Sequence, residues 1–144
     1  MIILIQDISH HRFGAYISES LKFLDKSYGS GETFVFQLMN LDDSKEENDK
    51  IEKKLDEKHS STQNNSNSCN LKNLKVYKWT SQNSLFVTGS QDSFAVGIDD
   101  GKFAIYLDSS LNQGRSQECQ TFANEPLTPE EDFIVKTMEI WTFR

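Results

Sequence analysis

The chain has 144 residues, and its 15 basic against 22 acidic side chains give a formal net charge of −7. This length matches the commonest size of a domain with one hydrophobic core, so a second domain is not expected. An acidic surface repels phosphate backbones and anionic headgroups, which argues against nucleic acid and lipid as direct partners. Two cysteines are too few for a secreted disulfide framework, and no apolar run approaches the roughly 20 residues that span a bilayer. We therefore expect a soluble intracellular protein.

Eight segments have patterns typical of β-strands. Residues 2–5 are continuously apolar, as in a strand buried on both faces. Residues 13–17 and 34–38 place apolar side chains at every second position, which predicts two further strands. The remaining strands are expected at residues 75–79, 85–88, 93–97, 102–107 and 136–143. Strands at such spacings favour a sandwich or a barrel.

Local turn and cap signals add a hairpin and two short helices. Asp100-Gly101 suits the tight turn of a hairpin between two apolar runs. Thr128-Pro129-Glu130-Glu131 combines a capping hydroxyl with a carboxylate three residues later and a proline between them, which predicts a short helix. A second brief helix is expected over residues 18–26, where Leu21 and Leu24 have helical spacing.

Residues 41–73 differ from the rest of the chain. Their first part mixes positive and negative charges densely, and their second part is a tract of serine, asparagine and glutamine. Such a composition buries too little apolar surface to offset the entropy of ordering. We expect a disordered, low-complexity insertion in a single domain, and a long surface loop costs little closure entropy.

Aromatic residues are frequent along the predicted strands. They would suit either stacking on bases or sugars or packing in the core, and their alternation along strands favours the core. The acidic charge argues further against stacking on nucleic acid. The set comprises Tyr77, Trp79, Phe103, Tyr106, Phe122, Trp141 and Phe143.

The sequence offers no pattern that demands a metal or a nucleotide. His10 and His11 are adjacent, so in a strand their side chains point to opposite faces, and no Cys-x-x-Cys pair occurs. Glu32 follows a glycine turn in GSGETF, but this motif lacks the lysine of a phosphate-binding loop and enters a strand. Glu32 is therefore either a binding group or an acceptor of backbone N–H groups in the turn. We expect no metal, no cofactor and no catalytic residues.

Cys119 is the one candidate for redox chemistry. Arg115, four residues earlier, would lower the pKa of the thiol if the backbone brings the two together, whereas Glu118 would raise it. The alternative is that Cys119 is a small buried apolar group.

Several motifs follow one another in a fixed order: IILIQD at residues 2–7, FGAYISESLK at 13–22, YGSGETFVF at 28–36, KVYKWT at 75–80, DSFAVGIDDGKFAIYLD at 92–108, GRSQECQTF at 114–122, NEPLTPEEDF at 124–133 and EIWTF at 139–143. Together these motifs resemble the TLDc family, the domain of oxidation-resistance proteins. The resemblance covers most of the chain except the insertion. It implies a β-dominated α+β fold, in which two antiparallel β-sheets pack as a sandwich with short flanking helices.

The resemblance also implies a function. TLDc proteins protect cells from oxidative stress, and several bind the vacuolar proton-pumping ATPase (V-ATPase), so we expect a non-enzymatic interaction module that binds and regulates this pump. The expected location is the cytoplasm, with peripheral attachment to acidic organelles through a protein partner. The alternative is a peroxide scavenger or sensor that acts through Cys119. The motif residues taken as binding candidates are Gly29, Gly31, Glu32, Gly97, Gly101, Asp108 and Trp141.

One departure from the family concerns the start of the chain. The family domain carries helices and a strand before the segment that matches IILIQD, whereas here Met1 directly precedes that strand. We therefore expect a TLDc-like domain over residues 1–144 that is short at its N-terminus.

Overall fold

The computed structural model describes residues 1–39 and 73–143, which form ten β-strands. All eight expected strands are confirmed at their positions, with shifts of a few residues at the ends. Two further strands, β3 and β9, were not expected. The strands are β1 (Ile2–Asp7), β2 (Arg12–Tyr16), β3 (Leu24–Tyr28), β4 (Phe34–Leu38), β5 (Leu74–Lys78), β6 (Val87–Gly89), β7 (Ser93–Asp99), β8 (Lys102–Asp108), β9 (Gln113–Arg115) and β10 (Asp132–Trp141).

The expected pair of sheets is wrong, because the ten strands form one antiparallel sheet. Their order is β3-β6-β7-β8-β9-β10-β1-β2-β4-β5. Strand β10 makes the sheet continuous: its first three residues pair with β9, and the part from Val135 to Trp141 pairs with β1. At ten residues β10 is long enough to have a different neighbour at each end. The sequence pattern of one strand does not reveal such a change of partner.

The expected flanking helices are also wrong, since the described residues contain no α-helix. The hydroxyl of Thr128 donates to the carbonyl oxygen of Glu130 at 2.7 Å instead of capping a helix, and β10 begins at Asp132. The second predicted helix, over residues 18–26, gives way to an irregular segment and then to β3, which begins at Leu24. In both places the segment is irregular and leads directly into a strand, so a weak local preference for helix is overridden by the tertiary context.

One hydrophobic core lies between distant parts of the sheet. It includes Ile3 and Ile5 of β1, Val35 of β4 and Val87 of β6, all at most 1% exposed. In a flat sheet, β4 and β6 would lie about 30 Å apart, given the ~4.8 Å spacing of strands. The sheet is therefore strongly curved, so that its buried face packs against itself.

The hairpin at Asp100-Gly101 is confirmed. Asp99 pairs with Lys102, and both turn residues have positive φ, 46° for Asp100 and 78° for Gly101. These angles are those of a type I′ turn, in which glycine relieves the strain of a left-handed conformation. The insertion predicted over residues 41–73 lies outside the described residues, apart from Asn73.

Candidate functional site

The glycine loop before β4 packs against the residues that follow β5. A Cβ atom on Gly31 would lie 2.2 Å from the ring of Trp79, and one on Gly29 would lie 3.1 Å from the Cβ of Phe86. The rings of Trp79 and Phe86 meet edge to face, with their centroids 5.4 Å apart. The GSGETF and KVYKWT motifs are thus joined by direct contact. Two of the binding candidates, Gly29 and Gly31, serve this close packing.

Glu32 presents its side chain to solvent at the end of the same loop. Its own backbone N–H donates to the hydroxyl of Ser30 at 3.4 Å. The N–H of Thr33 donates to the carbonyl oxygen of Ser30 at 2.9 Å, so the turn is closed by Ser30. Among the residues that the structure describes, none binds the carboxylate of Glu32, which is exposed to solvent.

Gly97 lies in β7 with φ at 66°, a left-handed conformation in which side chains are strained. A Cβ atom there would lie 2.7 Å from the ring of Phe122 and 3.0 Å from the Cβ of Ala104. Gly97 therefore lets residues 120–122, which we call the QTF segment, pack onto β7 and β8. Gly101 has a different role, because a Cβ atom there would meet nothing within 4 Å.

Asp108 closes the turn between β8 and β9. Its carboxylate accepts hydrogen bonds from the hydroxyl of Ser110 at 2.8 Å and from the N–H groups of Asn112 at 3.0 Å and Gln113 at 3.2 Å. The bond from Ser110 is the main reason why the pKa of Asp108 lies below its ordinary value. Asp108 and Gly101 both line a shallow groove of about 370 Å³ along β8 and β9.

Trp141 lies apart from the other candidates, at the end of β10. Its side chain is 59% exposed, and its indole N–H donates to the carboxylate of Glu139 at 3.1 Å. An exposed tryptophan beside a carboxylate is a surface that suits a protein partner.

The seven predicted binding residues do not converge on one site. Gly29, Gly31 and Glu32 share a loop, whereas Gly101 and Asp108 share the groove beside β9. Most of these motif residues hold packed segments or turns in place. Among the seven candidates, only Glu32 and Trp141 have accessible side chains.

Cys119 is fully buried, which agrees with the alternative that it is a small buried apolar group. Its thiol donates to the hydroxyl of Thr121 at 3.4 Å, and burial raises the pKa of Cys119 above its ordinary value of 9.0. The guanidinium of Arg115 binds both carboxylate oxygens of Asp132, at 2.6 and 2.9 Å. It is therefore occupied elsewhere, and the thiol lacks the exposure and the thiolate character that reaction with peroxide needs.

The hydroxyl of Thr121 links Cys119 to a further segment. It donates to the side-chain oxygen of Asn83 at 2.9 Å, and that oxygen also accepts the N–H of Leu85 at 3.0 Å. The N–H of Thr80 donates to the carbonyl oxygen of Thr121 at 3.0 Å. Cys119 belongs to a polar network that fastens the QTF segment to the chain after β5.

The buried carboxylate of Asp7 was not among the residues predicted from the sequence. Asp7 is 4% exposed and accepts two hydrogen bonds from His11, from its backbone N–H at 2.8 Å and from its ring Nδ1 at 2.9 Å. His10 has φ at 70° and directs its ring toward Lys136, with Nδ1 and Nζ 3.4 Å apart. The two histidines thus have different partners, and Asp7 serves to close the β1–β2 turn. Within the described ranges, no three His, Cys, Asp or Glu residues are grouped as a metal site requires.

An apolar concave surface of the described residues was not predicted. It has a volume of about 270 Å³ and lies between residues 21–23, which directly precede β3, the β6–β7 turn, the β8–β9 turn and β10. We call this surface the β3 groove; its apolar lining is formed by Leu21, Phe23, Phe94, Leu111, Met138 and Ile140. Leu21 and Phe23 both lie within residues 18–26, for which a helix was predicted, so no signal in the sequence indicated this groove. Over residues 1–39 and 73–143, no helix has the length and hydropathy of a membrane-spanning segment.

The chain is similar to known proteins along nearly its whole length. A model of the TLDc domain matches residues 1–144. The chain is 34% identical over 143 residues to nuclear receptor coactivator 7 of Mus musculus, and 35% identical over 143 residues to oxidation resistance protein 1 of Homo sapiens. These alignments cover 99% of the chain but only 12% and 13% of the two relatives. The chain thus spans a small part of the length of the relatives that it matches.

Proposed function

This chain belongs to the TLDc domain family, and from that premise we propose that it acts in the oxidative-stress response as a non-enzymatic interaction module. The observation that carries the proposal is the match of the family model over residues 1–144, together with the similarity to oxidation resistance protein 1. The chain spans only 13% of that relative. Our proposal therefore assigns to the shared domain the role that the name of the whole relative states. The buried, protonated thiol of Cys119 supports protein binding rather than peroxide chemistry.

The partner that we propose is the vacuolar proton-pumping ATPase, whose assembly or activity the domain would regulate. The resemblance to TLDc proteins supports this choice. Attachment through a protein would place the chain at acidic organelles from the cytoplasm without direct contact with anionic lipid, which its net charge of −7 disfavours. The contact residues that we propose are Glu32 and Trp141, which are exposed, while the candidate glycines and Asp108 shape the loops around them.

The test uses purified chain and assembled pump. We expect the chain to co-sediment with the pump and to change either the rate of ATP hydrolysis or the release of pump subunits. Trp141→Ser should weaken binding at least tenfold, because an exposed tryptophan is a typical hot spot. Ile8→Ser is the matched control, since Ile8 is 55% exposed at the opposite end of β1. Unchanged hydrolysis and subunit release, with no co-sedimentation, would overturn the proposal.

A further inference from the structure

The turn between β7 and β8 exposes an aspartate that is followed directly by a glycine. Asp100 and Gly101 both lie at the surface, and a Cβ atom on Gly101 would meet nothing within 4 Å. Within residues 1–39 and 73–143, no group is hydrogen-bonded to the carboxylate of Asp100 or to the backbone N–H of Gly101. The turn therefore presents the two groups that close a five-membered succinimide ring, a carboxyl carbon and an unhindered backbone nitrogen.

The shape of the hairpin lets these two groups meet while the chain stays folded. Ring closure requires the peptide group between Asp100 and Gly101 to rotate until its nitrogen faces the side-chain carboxyl. This rotation converts the type I′ turn into a type II′ turn, in which φ of the first central residue stays positive and its ψ changes from about 30° to about −120°. Both turns suit a two-residue hairpin, so the pairing of Asp99 with Lys102 is kept. The reactive arrangement is thus a minor state of the folded turn.

Two other aspartates of the described ranges precede a small residue, and both sites are held in place. The carboxylate of Asp108 accepts three hydrogen bonds within the β8–β9 turn. The pKa of Asp108 lies below its ordinary value, chiefly because of the bond from Ser110, so the protonated form from which water can leave is rarer. Asp92 precedes Ser93, whose backbone N–H donates to the hydroxyl of Ser90 at 3.1 Å. Neither site has both reacting groups free, in contrast to the hairpin turn.

We propose that Asp100 is a modification site at which the folded chain converts aspartate into isoaspartate. The nitrogen of Gly101 forms a bond to Cγ of Asp100, and the hydroxyl of the protonated carboxyl leaves with the amide hydrogen as water. Water then adds to either carbonyl carbon of the ring and opens one of its two C–N bonds. Opening at Cγ restores aspartate, whereas opening at the former backbone carbonyl leaves the chain joined through Cγ. No atom or electron is gained or lost overall, so the reaction needs only water.

The product changes the hairpin beside the groove along β8 and β9. Isoaspartate adds one carbon atom to the backbone of a turn whose two-residue length sets the pairing of Asp99 with Lys102. Gly101 lines this groove together with Asp108. The modification therefore alters the shape and the charge at one end of the groove. This inference goes beyond the proposed function, because the reaction requires no partner protein.

The experiment incubates the full chain at neutral pH and body temperature for several weeks. Isoaspartate and aspartate have equal mass, and electron-transfer fragmentation of the digested chain distinguishes them at each position. We expect isoaspartate to accumulate at residue 100 at least about tenfold faster than at Asp92 or Asp108, because hydrogen bonds must break before those two sites can react.

The variant Ser109→Gly separates the effect of the fold from that of the dipeptide. It places a glycine after Asp108 at an exposed position and leaves the three hydrogen bonds to the carboxylate in place. In the folded variant Asp108 should still react at least about tenfold more slowly than Asp100. In concentrated urea the two sites should react at rates within about threefold of each other, because unfolding removes those bonds.

A second variant tests the nitrogen that attacks. Gly101→Asn keeps the turn, because asparagine tolerates a positive φ, but its side chain crowds the backbone nitrogen. Isoaspartate at residue 100 should then form at least about tenfold more slowly than in the unchanged chain. Circular dichroism checks that both variants are folded.

Three results would overturn this proposal. The first is the lack of isoaspartate at residue 100 of the folded chain after an incubation that produces it in concentrated urea. The second is equal rates at Asp100 and Asp108 in folded Ser109→Gly, and the third is an unchanged rate in folded Gly101→Asn. The first result requires no variant, so it decides the matter even where a variant does not fold. Failure of pump binding has no bearing on any of these.

Discussion

The two edge strands of the sheet, β3 and β5, are equally long but differ in how they are held. All five residues of β5 have register partners in β4, from Leu74 opposite Leu38 to Lys78 opposite Phe34. The ammonium of Lys75 binds the carboxylate of Glu125 at 2.8 Å, and the residues after β5 are bonded to the QTF segment. In β3, Leu24 pairs with Gly89 and Tyr28 with Val87, with a register shift between them, and exposed apolar side chains lie beside the strand.

This difference shows that the two edges of one sheet can be protected by different means. Strand β5 carries Lys75 and Lys78, and lysine is a usual means by which exposed edges avoid further pairing. Strand β3 also carries a lysine, Lys26, but its pairing with β6 is interrupted by a register shift, and the apolar surface next to it is exposed. The region of β3 is thus the less regularly paired of the two edges.

The largest expected effect is a loss of folding stability on substitution in the fully paired region that ends in β5. Gly14 in β2 lies so close to β1 that a Cβ atom would be 2.0 Å from the carbonyl oxygen of Ile3. Gly14→Ala should therefore lower the free energy of unfolding by about 3 kcal/mol, because backbone cannot move aside as a side chain can. Urea unfolding measures the change. Gly101→Asn is the control and should have little effect, since its turn has room and asparagine tolerates its φ.

A smaller effect should distinguish the aromatic residues of the two edges. Trp79 packs against Gly31 and Phe86 and donates its indole N–H to the carbonyl oxygen of Asn83 at 2.6 Å. Trp79→Ala should lower the free energy of unfolding by about 2 kcal/mol, whereas Phe23→Ala should change it by less than about 0.5 kcal/mol. Equal losses in urea unfolding would show that β3 is held as firmly as β5.

Hydrogen exchange should show the same contrast without mutation. The amides of β3 that face β6 should exchange at least about tenfold faster than those of β2, because a strand whose register is interrupted opens locally at low cost. NMR of the full chain in deuterated buffer measures both sets together. Equal protection of β2 and β3 would contradict the description of β3 as loosely held.

The smallest expected effect concerns the ion pair at β5. Lys75→Gln should cost less than about 1 kcal/mol at pH 7, because both groups are largely exposed and their attraction is screened. Lys75 lowers the pKa of Glu125 from 4.5, and Glu125 raises that of Lys75 from 10.5. The contribution is therefore fully present between these two values. It is lost as pH falls through the lowered pKa of Glu125, or rises through the raised pKa of Lys75. A difference that persists at pH 2 would rule out the ion pair as its source.

Much of the fold was predictable because most strands leave a local pattern of apolar side chains in the sequence. Eight of the ten strands follow from apolar runs and alternation, and the hairpin at Asp100-Gly101 follows from a dipeptide that suits its left-handed angles. Strand β3 was missed because Leu21 and Leu24 have helical spacing, and β9 because Gln113–Arg115 is short and carries no apolar pattern. Weak local signals of this kind are decided by the neighbouring strands.

The candidate site was less predictable than the fold. The order of motifs led to the family, but most of the motif residues turned out to support packing, such as Gly31 against Trp79 and Gly97 against Phe122. The burial of Cys119 was one of two open alternatives. The β3 groove is formed by residues that are as far apart as Phe23 and Ile140 in the sequence, so no local pattern could indicate it.

The sequence by itself determined the family, the positions of most strands, the hairpin turn and the acidic charge, because motif order, side-chain alternation and composition are properties of the chain. For residues 1–39 and 73–143, only the tertiary structure decided that β10 joins all strands into one sheet, that the predicted helices do not form and that β3 and β5 are the outermost strands. These features depend on which distant segments become neighbours, and contacts between such segments are made only when the curved sheet packs onto its own core.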